Sequence, residues 1–205
     1  MSENWPSNDK LGEYARIDGD EMKRLAAGYQ HTAEWAVDVP TYLGTFTLGA
    51  SAFGVTTVIG PDFYSWDYSR VRYRYSISWA SWGQKVAIEA GIELMGYAVG
   101  EVRTFETPVD LSFLTPFTQD VLRAVQTVPY GTTITVAQLA QLAGHPRKVA
   151  PVLRAVRFNP APIFVPCHRI VPTTGGTGDW SGIPGFKQGL LALEGVEVRD
   201  VLVEA

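Results

Sequence analysis

The chain has 205 residues and a single cysteine, Cys167. One thiol excludes an internal disulfide and any metal site with two or more cysteine ligands, and it fits a reducing, cytosolic setting. Long hydrophobic runs are also missing. No stretch approaches the ~18 uncharged apolar residues of a membrane helix; even Ile163–Val165 ends at Pro166. The first residues, with Glu3, Asp9, Lys10, Glu13 and Asp18, lack the shape of a signal peptide. The third absence is local: no Asp or Glu lies between Asp120 and Asp179. Arg123, Arg147, Lys148, Arg154, Arg157 and Arg169 fall in that interval, so a net charge of −4 covers an acidic body and a basic segment. Such asymmetry suits either a polyanionic partner or a solvated basic face.

What is present is apolar. Hydrophobic residues make up 46% of the chain and aromatics 12%, which excludes a disordered protein and supplies a core for one domain or two small ones. Residues 1–35 are polar and read as a tail with a short helix around Asp20–Ala27. Strand signals follow at Tyr42–Leu48, Val55–Ile59 and Val71–Trp79. Gln84–Tyr97 has mainly helical spacing through Val86, Ile88, Ala90, Leu94 and Tyr97. Phe105–Pro108 reads as an extended linker, because Pro108 keeps Thr107 out of the helical region.

Beyond the linker the pattern becomes helical. Pro116 suits a helix start before Phe117, Val121, Leu122 and Val125, and Pro129-Tyr130-Gly131 is a turn. Thr135–Ala143 is a short helix stopped at Gly144. After Gly144-His145-Pro146, a second helix places Val149, Val152, Leu153 and Val156 on one face, with Pro151 tolerable only in its first turn. The pair is either a helix-turn-helix, with Arg154 and Arg157 projecting from the helix that enters a nucleic-acid groove, or an ordinary helical hairpin.

The sharpest local feature is Asn159-Pro160-Ala161-Pro162-Ile163-Phe164-Val165-Pro166-Cys167-His168-Arg169. A lone cysteine is commonly a small buried hydrophobe. Here prolines stiffen the segment that carries it, and the neighbouring His168 and Arg169 favour thiolate. In an extended segment adjacent side chains point opposite ways, so direct contact between His168 and Cys167 does not follow from adjacency and a bridging water is a plausible link.

Pro166-Cys167-His168-Arg169-Ile170-Val171 resembles the active-site signature of the alkylguanine-DNA alkyltransferases. The likeness extends to Thr115-Pro116-Phe117, Pro129-Tyr130-Gly131, Leu139-Ala140, Gly144 with Pro146, Asn159-Pro160 with Pro162, Ser181-Gly182, Lys187, Leu190-Leu191 and Glu194-Gly195, in order and spacing. It is strong from about Pro108 to Val198 and weak before that, where Leu43–Gly60 and Tyr97-Ala98-Val99-Gly100 carry it. The resemblance implies an α+β protein: a tail (1–35), an N-terminal ribonuclease-H-like α/β domain (36–108) and a C-terminal helical domain with a winged-helix-like helix-turn-helix (109–205).

It also implies direct, single-turnover transfer of an alkyl group from guanine O6, or thymine O4, to Cys167. His168 takes the thiol proton through a water, Glu194 orients His168, and Asn159 ties the recognition helix to the cysteine loop. Pro162, Thr173, Trp180 and Ser181 would form the base and alkyl pocket, with Trp180 where tyrosine is common and Lys187 near the lid. Thr135, Val136, Ala150, Arg154 and Arg157 fall at DNA-facing positions. No metal and no cofactor is implied. The partner is DNA containing O6-alkylguanine, with no membrane involved, and the protein is expected to be a cytoplasmic or nucleoid-associated monomer.

Two positions depart from the family. Ala150 stands where an intercalating arginine is usual, and Val136 where a tyrosine helps rotate the target nucleotide. Flipping a base out of a duplex costs a few kcal/mol, so these replacements predict weak action on duplex DNA. The competing readings are an alkyltransferase-like protein that binds damage without efficient repair, which the presence of Cys167 disfavours, and a cysteine hydrolase, for which no oxyanion hole is legible.

Overall fold

A computed structural model describes residues 35–60, 82–172, 177 and 185–197. It opens with three antiparallel strands in the order β1 (Trp35–Thr41), β2 (Gly44–Ser51) and β3 (Gly54–Ile59). The strand expected over Tyr42–Leu48 is thereby corrected. Tyr42 and Leu43 form the hairpin turn, closed by Thr41, whose hydroxyl donates to the Gly44 carbonyl and accepts from the Leu43 amide. Asp38 and Pro40 interrupt any strand signal over β1; among the described strands β1 lies at the edge of the sheet, where proline is tolerated. The helix expected at Asp20–Ala27 and the strand at Val71–Trp79 lie outside the described residues.

Helix α1 (Trp82–Ala98) packs its buried Ala87, Ala90, Leu94 and Tyr97 toward Val39, Phe46, Leu48 and Val58 of the sheet. Gly91 permits the approach, since an added Cβ would stand 3.1 Å from Val39. Ile88 is exposed and not part of the buried stripe. Glu93 then accepts from the Glu106 and Thr107 amides. The extended linker is further sewn to β3 by Val55 N–H to Pro108 O (2.8 Å) and Asp110 N–H to Val55 O (2.9 Å). Gly54, at φ +156°, is required there, because a Cβ would meet Pro108 O at 2.5 Å.

Thr115 caps α2 (Pro116–Gln126), and Pro116 occupies its first position as expected. A short parallel pair joins β4 (Ile134–Thr135) to β5 (Ile170–Val171). α3 (Val136–Leu142) begins with a capping box in which Thr135 and Gln138 satisfy each other's amides. After Gly144 (φ 77°) comes α4 (Val149–Arg157), with Pro151 in its first turn, where a missing N–H leaves no intrahelical bond unmade. α3 and α4 form the expected pair of short helices. Val152, Ala155 and Val156 form the buried face of α4, which packs on α2 and α3, whereas Val149 is 38% exposed and does not continue the stripe. The described chain ends with α5 (Phe186–Leu193). One hydrophobic cluster runs from Val39 and Phe46 through Leu94 to Leu122, Leu139, Ile163 and Leu190. The sheet, the helices and the cysteine loop therefore share a core. Among the described residues no helix is long and apolar enough to cross a membrane.

Candidate active site

The loop leaving α4 is fixed by one asparagine. Asn159 Nδ2 donates to Val165 O (2.8 Å), and its Oδ1 accepts from Ala161 N–H (3.1 Å). Val165 N–H closes the turn onto Ala161 O (2.8 Å), and β3 contributes Val58 N–H to Pro160 O (2.9 Å). Within this frame Ile163 adopts φ 76°, a left-handed conformation that costs a β-branched residue roughly 1–2 kcal/mol. Residues 159–171 are all buried, and Pro162 lies inside the turn, bridged to Val165.

Cys167 opens a single 3₁₀ turn, Cys167–Arg169, and is 2% exposed. The segment is therefore not extended at the cysteine, which corrects the geometry expected for Cys167 and His168. In a 3₁₀ turn successive side chains fan out about 120° apart. His168 and Arg169 both turn inward to meet Glu194, which caps the end of α5.

Glu194 is a buried acceptor hub. Its Oε1 lies 2.7 Å from His168 Nε2, accepts from Tyr97 O–H at 2.8 Å and from an Arg169 guanidinium N–H at 3.0 Å. Its Oε2 accepts from Arg169 Nε at 2.9 Å and from Gly131 N–H at 3.1 Å. Burial alone would raise the carboxyl pKa, but hydrogen bonds from His168 and Arg169 outweigh it and hold it at about 2. An ionised carboxylate only accepts, so His168 carries its proton on Nε2 and its lone pair on Nδ1. Burial lowers the His168 pKa, against the pull of Glu194, so the imidazole is held neutral near pH 7. The result is a fixed base of defined tautomer in the residue next to the only thiol.

Arg169 also has a structural task. Its guanidinium pairs with Glu194 and donates to Val128 O at 2.6 Å, tying the cysteine turn to the end of the α2 region. Lys187, which by itself reads as a surface residue, is buried and donates to Ile170 O at 2.6 Å. Tyr97 and Gly131 were not singled out as site residues. They stand 97 and 63 positions from Glu194, so no local pattern announces their convergence. The only trace was their presence in motifs of the family.

The remaining expected residues separate. Arg154, Arg157 and Ala150 are exposed on α4, and Thr135 is half-buried at the start of α3. Val136 is 5% exposed and belongs to the hydrophobic core, which corrects its placement among DNA-facing residues: the first turn of α3 points this side chain inward. Thr173, Trp180 and Ser181 lie outside the described residues. Among those described, no group of three His, Cys, Asp or Glu residues could hold a metal.

A buried cysteine thus stands next in sequence to a carboxylate-held histidine, on a loop that follows a pair of short helices with exposed Arg154 and Arg157. Residues 116–196 match the family model described as 6-O-methylguanine DNA methyltransferase, DNA binding domain. The methylated-DNA--protein-cysteine methyltransferase of Mycolicibacterium paratuberculosis is 35% identical over 146 residues, spanning 70% of this chain and 88% of that protein. The human protein of the same name is 45% identical over 80 residues, 38% of this chain and 39% of its own. The crystal structure of Mycobacterium tuberculosis O6-methylguanine methyltransferase superposes with a TM-score of 0.65 at 28% identity, covering 78% of this chain and 91% of that one. Mycobacterium tuberculosis OGT in complex with DNA does so with 0.58 at 27%, covering 82% and 94%. The chain belongs to the methylated-DNA--protein-cysteine methyltransferase family, and its α+β fold is that of the family.

Proposed function

We propose that this protein repairs DNA by moving an alkyl group from guanine O6 onto Cys167 and keeping it there. The observation that carries the reading is the convergence of the residue next to Cys167, His168, on the buried Glu194. The thiol gives up its proton toward His168 Nδ1, and the sulfur attacks the alkyl carbon. The S–C bond forms as the C–O6 bond breaks. The electron pair leaves with the guanine, which is reprotonated. Atoms and electrons balance without cofactor or oxidant, and the protein is consumed one molecule per lesion. Asn159 fixes the loop that presents the thiol. Pro162, Thr173, Trp180 and Ser181 form the pocket for base and alkyl group.

Arg154 and Arg157 contact phosphates from the exposed face of α4, Thr135 lies at the groove, and sequence-independent contacts of this kind position the duplex without reading it. The domain arrangement proposed is a tail over 1–35, a ribonuclease-H-like unit over 36–108, for which the β1–β3 hairpins and α1 are the support, and a helix-turn-helix unit over 109–205 supported by α3 and α4. The protein works as a monomer in the cytoplasm or on the nucleoid.

A second reading, damage binding with slow repair, is favoured by one observation: the exposed position on the first turn of α4 is Ala150, with no side chain to fill the gap left by a flipped base. The test of the main reading is an oligonucleotide carrying isotopically labelled O6-methylguanine. Repair predicts one label per protein; tight binding without label transfer selects the sensor.

A further inference from the structure

We propose that Tyr97 is a positioning residue for the alkyl transfer: from helix α1, outside the segment that carries the cysteine and the DNA-binding helices, its hydroxyl fixes and tempers the carboxylate that holds His168. The inference rests on the transfer reaction proposed above.

The geometry is specific to the base. Tyr97 O–H donates to Glu194 Oε1 at 2.8 Å, the same oxygen that His168 Nε2 meets at 2.7 Å, and the hydroxyl stands 3.4 Å from Nε2 itself. Tyr97, His168 and an Arg169 guanidinium N–H at 3.0 Å therefore share a single oxygen and compete for its electron density. A fully buried tyrosine needs a partner for its hydroxyl. Many partners would serve stability equally well, but this one is the residue that sets the tautomer and basicity of His168.

The ring is locked in place by Phe105 (centroids 5.5 Å apart) and, edge-on, by Tyr130 (6.3 Å). Phe105 in turn packs on Phe164 of the cysteine loop at 4.3 Å. α1 is itself held on the sheet, whose strand β3 bonds to Pro160 of the same loop. The hydroxyl is thus positioned by a rigid element, as a group that tunes another must be.

Among the described residues, four other charged or titratable side chains bear on this point. Arg169 comes from the cysteine turn, and Lys187 acts on His168 from α5. Tyr130 comes from the turn before α3, with Arg103 over its ring at 5.6 Å. Tyr97 itself stays protonated: burial and the neighbouring Glu194 carboxylate both oppose its ionisation. Its role is therefore donation alone. Withdrawing that donor leaves Glu194 more basic and concentrates its pull on Nε2–H. The imidazolium is then stabilised, and His168 becomes a base that holds its proton at higher pH.

The experiment compares the full-length protein with Tyr97→Phe, which keeps the ring and removes the hydroxyl. Two readouts are taken across pH: the His168 ring resonances by NMR, and the single-turnover rate of methyl transfer from an O6-methylguanine oligonucleotide. The expected result is an upward shift of the His168 transition by about half to one pH unit, with the acid limb of the rate profile moving by the same amount. A folded variant with unchanged ring titration and unchanged rate profile overturns the proposal, because a merely structural hydroxyl moves stability alone. The ring titration requires no transfer. If wild-type protein transfers nothing, the reaction assigned above fails, while the titration still decides whether Tyr97 acts on His168. Should Tyr97→Phe not fold, the wild-type protein decides: the account expects a slowly exchanging Tyr97 hydroxyl proton with a cross-relaxation contact to the His168 ring, and its absence refutes the arrangement.

Discussion

Replacing Glu194 by Gln perturbs the site at its centre while barely changing its volume. The amide retains one oxygen, which can still accept from Tyr97 or Gly131, but it loses the charge opposite Arg169 and places an NH₂ where one of five donors points. Arg169 is 5% exposed, and its remaining acceptor is the Val128 carbonyl. Removing one partner of a buried pair costs about 3–5 kcal/mol, because the other charge stays buried. In a chain of this size each kcal/mol moves Tm by about 2–4 °C, so the expected fall is roughly 6–20 °C. Urea unfolding followed by circular dichroism gives the same quantity through a lowered midpoint at unchanged slope. Glu197→Gln, at an exposed position three residues on, is the control and should stay within about 0.5 kcal/mol. The transfer rate should fall as well, by about 10²–10⁴-fold, since His168 loses the partner that fixes it as a base. A Glu194→Gln protein within about 1 kcal/mol of wild type and equally reactive would refute the hub.

Three further outcomes follow from the same geometry. Asn159→Ala leaves Val165 O and Ala161 N–H without their buried partners and should cost about 2–4 kcal/mol in urea unfolding, with transfer slowed more than DNA affinity in a binding titration. Ala150→Arg adds a side chain at an exposed site on α4; stability should change by less than about 0.5 kcal/mol, and transfer from duplex but not single-stranded substrate should accelerate. Acid should destabilise the fold in two stages, read by urea midpoints across pH. The His168 pKa is lowered on folding, so its contribution is complete above its ordinary 6.5 and erodes below it as the unfolded chain takes up the proton. The contribution of Glu194 is present above its ordinary 4.5 and is lost as pH falls toward about 2.

Much of the C-terminal half was legible because its signals are local. Pro116 suits a helix start, Gly144 ends a helix after Thr135–Ala143, and Pro151 is confined to a first turn. The Asn159–Cys167 segment also advertises itself, since prolines around a lone thiol are rare punctuation. The site was only half legible. Cys167, His168, Glu194 and Asn159 follow from the resemblance, but the hub needs Tyr97, Gly131 and Arg169 brought together across long separations. That convergence depends on tertiary packing of α1 and α5, which no periodicity reports. Val136 shows the converse error. Matching by position placed it at the DNA face, whereas its burial is decided by the direction of the first turn of α3. β1 was missed because propensity counts Asp38 and Pro40 against a strand, and an edge strand accepts both.

The most direct test of the account is the mass of the Cys167 peptide after incubation with a methylguanine oligonucleotide. The account predicts a gain of one methyl group on that peptide, in a one-to-one ratio with lesions removed, and no gain in Cys167→Ala. DNA bound with an unmodified Cys167 peptide, or a methyl gain that survives Cys167→Ala, would contradict it.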